Sequence, residues 1–563
     1  MPGVAKWAAQ AQRGLPRGKL LPFALALFGT FPLVVVIWDS LRVEGAFSLR
    51  NYLAVYQRPA NLAAVVNTLE MAALSMLLAT TLAFLLSWLL YRSDLPWRGF
   101  FRALFLVPYL APPFVGAIAW TQLLNPRVGY LNRFFMQIFG LAQAPLDIYS
   151  LGGLVWVMGV QEMPLAFLAI STAMQQIDPS WEEAARLAGA RRWRMIRQIT
   201  LPVVLPGVLT GAMLVFVAAA SAFGVPAIIG MPARIYVVTT RIVSYVYMGA
   251  AQGTGEATAL AVLLMVAGLL FPALVNRWTA GRKYQLAAAK TARPGLVELG
   301  RWRTPLFLLC LALGLVIVAM PLATVVVTSF LKATGLPFTV ENLSLRHWIY
   351  VFTRFPFGQE SLKTSFLAGG IAATLATAVG LATAYRRVKT RLPGRQLADL
   401  LAFIPYATPG VVLALALITT WSGRFVLNLY GTFTLLVLAY AIKYLAHAAR
   451  IIAVSLEQIH PSLEEAGQSA GADKMRVFRD ITLPLAKPGL IAAWFGVFIL
   501  SFYELTMSVL LNGPNTRAIG VTIYELQTYD DPQSASVLAS VVIFLVLAAN
   551  ALVKRATGGR MGI

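Results

Sequence analysis

The sequence predicts an all-α membrane protein that crosses the bilayer about twelve times, arranged as two parallel repeats of six helices. Hydrophobic residues make up 58% of the 563 positions and charged residues only 12%, with a mean hydropathy of +0.72. A soluble chain of this length needs about twice that share of charge. Long apolar stretches and a loop motif that occurs twice at constant spacing are the other two observations.

Apolar stretches of about 20 residues are long enough to cross the roughly 30 Å of bilayer hydrocarbon. They are too long and too numerous for the buried helices of a soluble core. Twelve such stretches are predicted as spans, at 20–38, 62–91, 99–123, 151–173, 207–229, 256–275, 304–330, 361–385, 398–421, 431–453, 489–511 and 533–553.

Basic residues predict the orientation. The chain has 46 Lys and Arg against 23 Asp and Glu, for a net charge of +23. More than two thirds of the Lys and Arg residues fall on the side of the two termini when alternate loops are assigned to opposite faces. Because cytoplasmic loops carry the excess of Lys and Arg, both termini are predicted to be cytoplasmic. The positive charge therefore indicates a membrane protein and not a nucleic-acid partner. The first span lacks a small-x-small cleavage site and is read as retained.

A basic segment divides the chain. Residues 277–303 contain seven Lys or Arg residues and predict a cytoplasmic linker between a first repeat, 1–276, and a second, 304–563. Val107–Pro112 in the third span resembles Ile404–Pro409 in the ninth, which indicates a tandem duplication. With six spans each, the repeats enter the membrane in the same direction and are expected to be related by a pseudo-twofold axis along the membrane normal. Prolines in both segments are expected to break the two spans. The breaks are expected either to serve helix packing or to line a pathway or hinge.

The strongest motif follows the fourth and the tenth spans. The loops at 178–202 and 460–484 share one pattern. Glu-Glu-Ala, then Gly after four intervening residues, and then Ile-Thr-Leu-Pro recur at an offset of 282 residues (460 − 178). Ser462 stands three residues before Glu465, a capping-box spacing that predicts the start of a short helix, and the first loop has the same pair. The glycines fit a left-handed helix end. Each loop is therefore predicted to form helix, turn and basic second helix.

This pattern resembles the EAA loop of binding-protein-dependent ABC importer permeases. The resemblance implies the type I ABC importer permease fold, with each loop forming a coupling helix that sits in a groove of a cytoplasmic ATPase. It implies that one chain engages two ATPase copies and an extracytoplasmic binding protein. The second loop departs from the pattern at Gly467, where the first has Ala185, and a looser helix or ATPase contact is expected there. The implied coupling residues are Glu182, Glu183, Ala184, Ala185, Gly189, Leu201, Pro202, Glu464, Glu465, Ala466, Gly471, Leu483 and Pro484.

The chain is not expected to be an enzyme. It contains no G-x-x-x-x-G-K-[ST] phosphate loop, and the nearest approach, Gly358–Thr364, has Leu362 where that loop needs glycine. ATP is therefore expected to be used by a separate subunit, with no cofactor in this chain. The lone Cys310 and three dispersed histidines argue against a metal centre. No catalytic residue is predicted.

Shorter motifs indicate the subgroup. Phe223–Ala227, Tyr503–Thr506 and Ser508–Pro514 resemble segments of the iron(III)-type permeases. The resemblance implies ferric iron as cargo and a bacterial inner-membrane location; thiamine, polyamine or phosphonate permeases are the alternatives. A proton-coupled secondary transporter also has twelve spans in two parallel repeats, but it has no need of duplicated capped loops.

Three ionisable residues inside predicted spans mark interior or pathway positions, because such groups are costly in lipid. Glu162 and Lys443 lie midway along the fourth and tenth spans, and Gln161 corresponds to Lys443 in the repeat. The hypothesis is that Glu162 and Lys443 form a gate or packing pair; the alternative is that local hydrogen bonds satisfy each separately. Glu504 in the eleventh span is expected either to help a cation pass or to cap a neighbouring helix.

Overall fold

A computed structural model describes the chain at residues 21–177, 185, 187–191, 194, 196–249, 254–280, 296–390, 395–425, 427–529 and 531–556. These residues are overwhelmingly helical. The one named sheet among them is a two-stranded hairpin of β1 (Arg42–Val43) and β2 (Ala46–Phe47), just after the first helix. The protein is all-α and polytopic, which confirms the predicted fold class.

The helices before the linker run in the order of the predicted spans. They are α1 (Leu21–Ser40), α2 (Arg50–Gln57), α3 (Pro59–Arg92), α4 (Arg98–Leu104), α5 (Val107–Leu110), α6 (Pro113–Leu124), α7 (Tyr130–Phe139), α8 (Leu151–Gln175), α9 (Leu201–Ser221), α10 (Val238–Met248) and α11 (Thr254–Ala280). Five-residue π-helical segments at Ile196–Thr200 and Pro226–Gly230 flank α9.

The helices after the linker repeat this order. They are α12 (Arg303–Gly314), α13 (Met320–Thr328), α14 (Arg346–Ile349), α15 (Pro356–Lys389), α16 (Arg395–Ala407), α17 (Gly410–Trp421), α18 (Phe433–Glu457), α19 (Pro461–Ser469), α20 (Lys474–Val477), α21 (Leu483–Phe502), α22 (Ser508–Leu511), α23 (Ile519–Thr528) and α24 (Pro532–Ala556). Three further π segments, also of five residues each, lie at Leu315–Ala319, Tyr350–Arg354 and Phe478–Thr482. Two 3₁₀ turns lie at Gly300–Trp302 and Val340–Asn342.

Every predicted span coincides with apolar helix. Within the described residues, nine helices are long and apolar enough to cross a membrane, and two bent pairs add one candidate span each. A shorter apolar helix lies at Leu27–Ser40. The bends, 100° before α6 and 108° before α17, fall at the predicted prolines because Pro112 and Pro409 hold an extended backbone and cannot donate the helical hydrogen bond.

Two predicted boundaries are wrong. The fifth and eleventh spans were expected to reach residues 229 and 511, but α9 ends at Ser221 and α21 at Phe502. Ala222 takes an extended backbone, and Pro226 then opens a separate π segment. Hydropathy alone missed both ends because the residues beyond them are still apolar.

The structure forms two compact units. One contains α1, the described residues between Gln359 and Val521, and the end of α24 from Leu547. The other contains the described residues between Val43 and Gly358, with Thr522–Val546. The predicted repeats, 1–276 and 304–563, are units of sequence. The compact units cut across them because the first span of each repeat packs with the other repeat's helices.

Helix α1 packs against α16, α17 and α18 of the second repeat. Phe28 stacks on Trp421 with ring centroids 4.5 Å apart. The carboxylate of Asp39 forms a two-point ion pair with Arg424, and these hydrogen bonds raise the pKa of the Arg424 guanidinium. Both aromatic packing and bidentate charge pairing fix the orientation of α1 in this unit.

The first span of the second repeat, Arg303–Thr328, packs with helices of the first repeat in the other unit. Ile317 and Val318 are buried against Val160. Gly314 approaches Leu104 so closely that a Cβ there would lie 2.5 Å from a leucine methyl. The exchange of first spans is therefore reciprocal.

Candidate functional site: the duplicated loops and the broken spans

The helix of the second loop, α19, begins at Pro461, two residues before the start that a cap at Ser462 would give. Its N-cap is His460, whose Nδ1 accepts a hydrogen bond from the Ser462 N–H at 3.3 Å. The predicted capping box of Ser462 and Glu465 is therefore wrong. Proline at the first helical position has its φ already set for the helix and lacks the N–H that a cap would have to satisfy. The helix consequently starts one residue earlier than the serine.

Both loop helices end as the sequence predicts. Gly189 and Gly471 adopt left-handed backbones with φ of +78° and +89°. The residue after each glycine donates its N–H five residues back, from Ala190 to Ala185 and from Ala472 to Gly467, at 2.9 and 3.1 Å. This is the hydrogen bond of a Schellman helix end. Its presence at matched positions confirms the predicted glycine ends.

Part of the first loop lies outside the described residues, including the predicted coupling residues Glu182, Glu183 and Ala184. Ala185 and Gly189 are described, as is Leu187, which is 91% exposed.

Gly467 explains where the second loop departs from the first. A Cβ at this position would lie 2.7 Å from the Cδ1 atom of Ile481 and 3.2 Å from a Val477 methyl. The glycine therefore lets α19 lie directly against the helix that follows it. The departure from alanine corresponds to close packing inside the loop.

A π-helical segment precedes the Leu-Pro pair in both repeats. It covers Ile196–Thr200 before Leu201 and Pro202, and Phe478–Thr482 before Leu483 and Pro484. Proline has no N–H and its ring crowds the carbonyl four residues back, which favours the wider π turn just before it. The duplicated Leu-Pro thus marks the widened turn where each loop joins its following span.

The face of α19 that carries Glu465 and Ala466 is exposed, and Leu463 on the same helix is 46% exposed. The preceding Glu464 points the other way, with 16% of its side chain exposed. The two adjacent glutamates of the motif therefore have different surroundings. Spacing could not separate them, because both belong to the same short pattern.

Glu464 contacts two elements that sequence reasoning did not assign to the site. One carboxylate oxygen lies 3.3 Å from Lys389 Nζ at the end of α15, and the other accepts a hydrogen bond from Thr482 Oγ1 at 2.7 Å. Lys389 Nζ also donates to the Ile459 carbonyl at 2.9 Å. The sequence feature that could have indicated this contact is Lys389 itself, a basic residue at the end of a long apolar helix.

The broken third span is held by Gln161 from the middle of α8. Its amide nitrogen donates to the carbonyls of Pro108 and Ala111, at 2.6 and 2.9 Å. These carbonyls lose their helical partners where the backbone breaks. A backbone carbonyl in a membrane needs such a donor, because an unsatisfied polar group there costs several kcal/mol.

Lys443 performs the same task in the second repeat. Its ammonium donates to the carbonyls of Tyr406, at 3.1 Å, and Thr408, with Pro405 at 3.5 Å. Gln161 and Lys443 are thus equivalent in contacts as well as in sequence. The structure shows the predicted local hydrogen bonding for Lys443.

Glu162 lies half-buried in α8, next to Gln161. It and Lys443 belong to different compact units. The gate or packing pair between them stays a prediction.

Glu504 lies just beyond the end of α21 and caps the short helix α22. Its carboxylate accepts the N–H groups of Met507 and Ser508, all at 3.0 Å, and the Ser508 hydroxyl at 2.9 Å. This is the capping alternative that the sequence left open. A role in cation passage stays a prediction. Among the described residues, no three His, Cys, Asp or Glu side chains cluster as a metal site would require.

Spanning apolar helices and a loop motif that occurs twice are the features of a polytopic membrane protein built from a repeat. The chain belongs to the family described as binding-protein-dependent transport system inner membrane component, whose model matches residues 60–282 and 376–558. The two matches together cover more than half of the chain and contain both loops.

Two relatives align with nearly the whole chain, and a third aligns with a smaller part of it. The ferric transport system permease protein FbpB of Actinobacillus pleuropneumoniae is 24% identical over 94% of this chain and 77% of its own length. The probable ABC transporter permease protein y4fN of Sinorhizobium fredii is 25% identical over 94% and 93%. The molybdenum transport system permease protein ModB of Escherichia coli K12 is 30% identical over 38% of this chain and 92% of its own length. A chain of a bacterial alginate importer superposes with a TM-score of 0.41 at 19% identity, covering 50% of this chain and 99% of its own.

Proposed function

We propose that this chain is the membrane-spanning subunit of an ABC importer, and that its two loops each receive one copy of a separate cytoplasmic ATPase. The observation that carries the proposal is the matched pair of loops at an offset of 282 residues. In each loop a left-handed glycine, Gly189 or Gly471, follows the loop helix. The exposed Leu187 and the exposed face of α19 support a covering partner. The sequence contains no phosphate loop, which supports a separate ATPase subunit.

The loop architecture suits transmission of force. Helix α19 lies on α20 and the π segment that leads directly into α21. A displacement of α19 by a closing ATPase would therefore reach a membrane span without passing through a long flexible connection. Since both repeats carry the loop, one chain supplies both attachment points and needs no second copy of itself.

The basic residues support placement of the loops and both termini on the cytoplasmic side of a bacterial inner membrane. A soluble receptor then delivers substrate on the opposite face. In the proposed cycle the loaded receptor docks and two ATPases bind ATP and close. The loops then move, and the interior of the permease opens outward to accept the substrate. ATP hydrolysis returns the permease to the inward-facing state.

Ferric iron is the proposed cargo. Support comes from the names of relatives that align with 94% and 76% of this chain, the ferric permease of Actinobacillus pleuropneumoniae and a second of Haemophilus influenzae. The short segments around Phe223 and Tyr503 agree with that subgroup. The molybdenum permease aligns with a smaller part of the chain, so oxyanions such as molybdate join thiamine, polyamines and phosphonates as alternatives.

Reconstitution in liposomes tests the proposal. The chain is purified with its ATPase and receptor, ATP is enclosed, and radioactive ferric iron is offered on the receptor outside. We expect uptake that needs both ATP and receptor and that excess thiamine, putrescine or molybdate does not reduce. Uptake driven by a proton gradient without ATP would identify a secondary transporter and contradict the proposal. ATP-driven uptake of a competitor alone would keep the ABC assignment and overturn the cargo.

A further inference from the structure

We propose that Lys389, Glu464 and Thr482 form a clamp that fixes the coupling helix α19 to two membrane spans, and that this clamp transmits the motion of the ATPase. The inference rests on the proposed function of the loop and adds a positioning role that the exposed coupling residues do not have. Glu464 is the glutamate of the motif that faces inward, with 16% of its side chain exposed.

The need for a clamp follows from the length of α19. It has nine residues, and isolated helices shorter than about 12 residues are marginal in water. Its orientation must therefore come from tertiary contacts. One is the close approach of Gly467 to Ile481, which sets distance but offers only apolar contact.

Glu464 supplies the directional contacts. Its two oxygens reach different elements: Lys389 Nζ at the end of the eighth span, at 3.3 Å, and Thr482 Oγ1 at the start of the eleventh, at 2.7 Å. Lys389 also donates to the Ile459 carbonyl at 2.9 Å, just before α19. The carboxylate thus joins both spans to one helix.

The surroundings make these contacts strong. The Lys389 side chain is only 8% exposed, so water screens the ion pair less than at an open surface. Beneath it, Tyr385 packs edge-on against Phe478, with ring centroids 5.2 Å apart. Arg387, near the same end of α15, pairs with Asp399 of α16. These two side chains are 45% and 42% exposed, and the pair is expected to contribute little.

The first repeat places matching residues at matching points. Arg92 ends α3, as Lys389 ends the equally long α15. It is 1% exposed, and Thr200, the counterpart of Thr482, is 4% exposed. The corresponding acid, Glu182, lies outside the described residues. A buried cation and a buried threonine therefore occur at the matching positions of both repeats.

The experiment compares Lys389→Met, Glu464→Gln and the charge exchange Lys389→Glu with Glu464→Lys. Arg387→Met and Asp399→Asn, which break the exposed pair between α15 and α16, are the matched controls. Hydrogen exchange of residues 461–469 is measured in the purified permease. In the reconstituted complex, ATP hydrolysed per ferric ion imported is measured, along with ATPase retained on purification.

We expect each single clamp variant to speed amide exchange in α19 roughly tenfold, the scale of a lost local constraint. The ATP used per ion should rise several-fold while the ATPase still copurifies. The double variant with swapped charges should recover part of the amide protection and part of the coupling between ATP use and import. The control variants should match wild type. Unchanged exchange, or faster exchange with unchanged ATP use per ion, would overturn the clamp.

Failure of the proposed cargo remains distinguishable. If the wild-type complex hydrolyses ATP without importing ferric iron, the ratio of receptor-stimulated to basal hydrolysis replaces uptake as the coupling measure. Loss of that ratio in the clamp variants alone supports the clamp, and retention overturns it. If the wild-type chain binds no ATPase, both the proposed function and the clamp's role in transmission are contradicted.

Discussion

At the scale of single residues, Gln161 and Lys443 show how a membrane protein tolerates a broken helix. Each sits in the middle of a span and supplies donors to carbonyls freed by a proline break. The two repeats solve the same problem with different chemistry, a neutral amide and an ammonium. The shared requirement is a donor and not a charge.

Lys443→Leu is therefore expected to destabilise the purified permease by about 1–3 kcal/mol, the cost of leaving buried acceptors unpaired. Lys443→Gln should retain most of the stability, because glutamine performs this task in the first repeat. Lys487→Leu, at an exposed position on α21, is the matched control. Denaturation in mild detergent measures all three. Equal losses for the leucine and glutamine variants of Lys443 would mean that its charge is what the fold requires.

Gly471 makes a second prediction at this scale. A Cβ added there meets nothing within 4 Å, so the cost of Gly471→Ala is the left-handed backbone itself, roughly 1–2 kcal/mol. Gly471→Asn should lose less, because asparagine tolerates this conformation. Thermal unfolding of the two variants distinguishes them; an alanine variant as stable as wild type would show that the helix end can rearrange freely.

At the scale of elements, the packing between α19 and the segment after it can be tested by changing the size of one side chain. Gly467→Ala places a methyl 2.7 Å from Ile481 Cδ1 and is expected to destabilise the loop by roughly 1–3 kcal/mol. Ile481→Val removes that atom and should restore much of the loss in the double variant. Hydrogen exchange across residues 461–482 reports both effects. Additive losses in the double variant would show that the two residues do not press on each other.

The sequence predicts more of the elements than of the contacts. Within the described residues, hydropathy locates apolar helix at each predicted span, and proline locates both bends, because each is a local property. The ends of the fifth and eleventh spans escaped because apolar residues continue past Ser221 and Phe502. The start of α19 was misplaced by two residues, since His460 and not Ser462 is the N-cap and Pro461 takes the first helical position. The inward turn of Glu464 depends on Lys389, 75 positions earlier (464 − 389), and no local pattern contains it.

At the scale of the whole molecule, the sequence repeats and the compact units have different boundaries, because the first span of each repeat packs with helices of the other repeat. Helix α1 precedes the first repeat's other spans but packs in the unit that contains the second repeat's core. Neither repeat is expected to be stable without the span that it receives.

Gly29→Val tests this exchange. A Cβ at Gly29 would lie 2.2 Å from a methyl group of Ile442, so the substitution should speed amide exchange in α18, which belongs to the other repeat. Gly268→Val in α11, where a Cβ meets nothing within 4 Å, is the matched control. Faster exchange confined to the first repeat's helices would contradict the packing of α1 described above.

The central claim is that the two loops are the attachment points of a separate ATP-driven subunit. Cys310 is the chain's one cysteine and is fully buried, so introduced thiols can be labelled selectively. Leu187→Cys with Ala466→Cys places one thiol on each loop, and Val340→Cys, at a position 86% exposed and far from both in sequence, is the control.

The decisive measurement is ATP-driven uptake, with copurification of the ATPase, after a bulky maleimide has been attached to each variant. The account predicts that labelling both loops abolishes uptake and releases the ATPase, whereas labelling Val340→Cys, on the opposite face by the predicted orientation, leaves the ATPase bound. Full uptake by a permease labelled on both loops would contradict it.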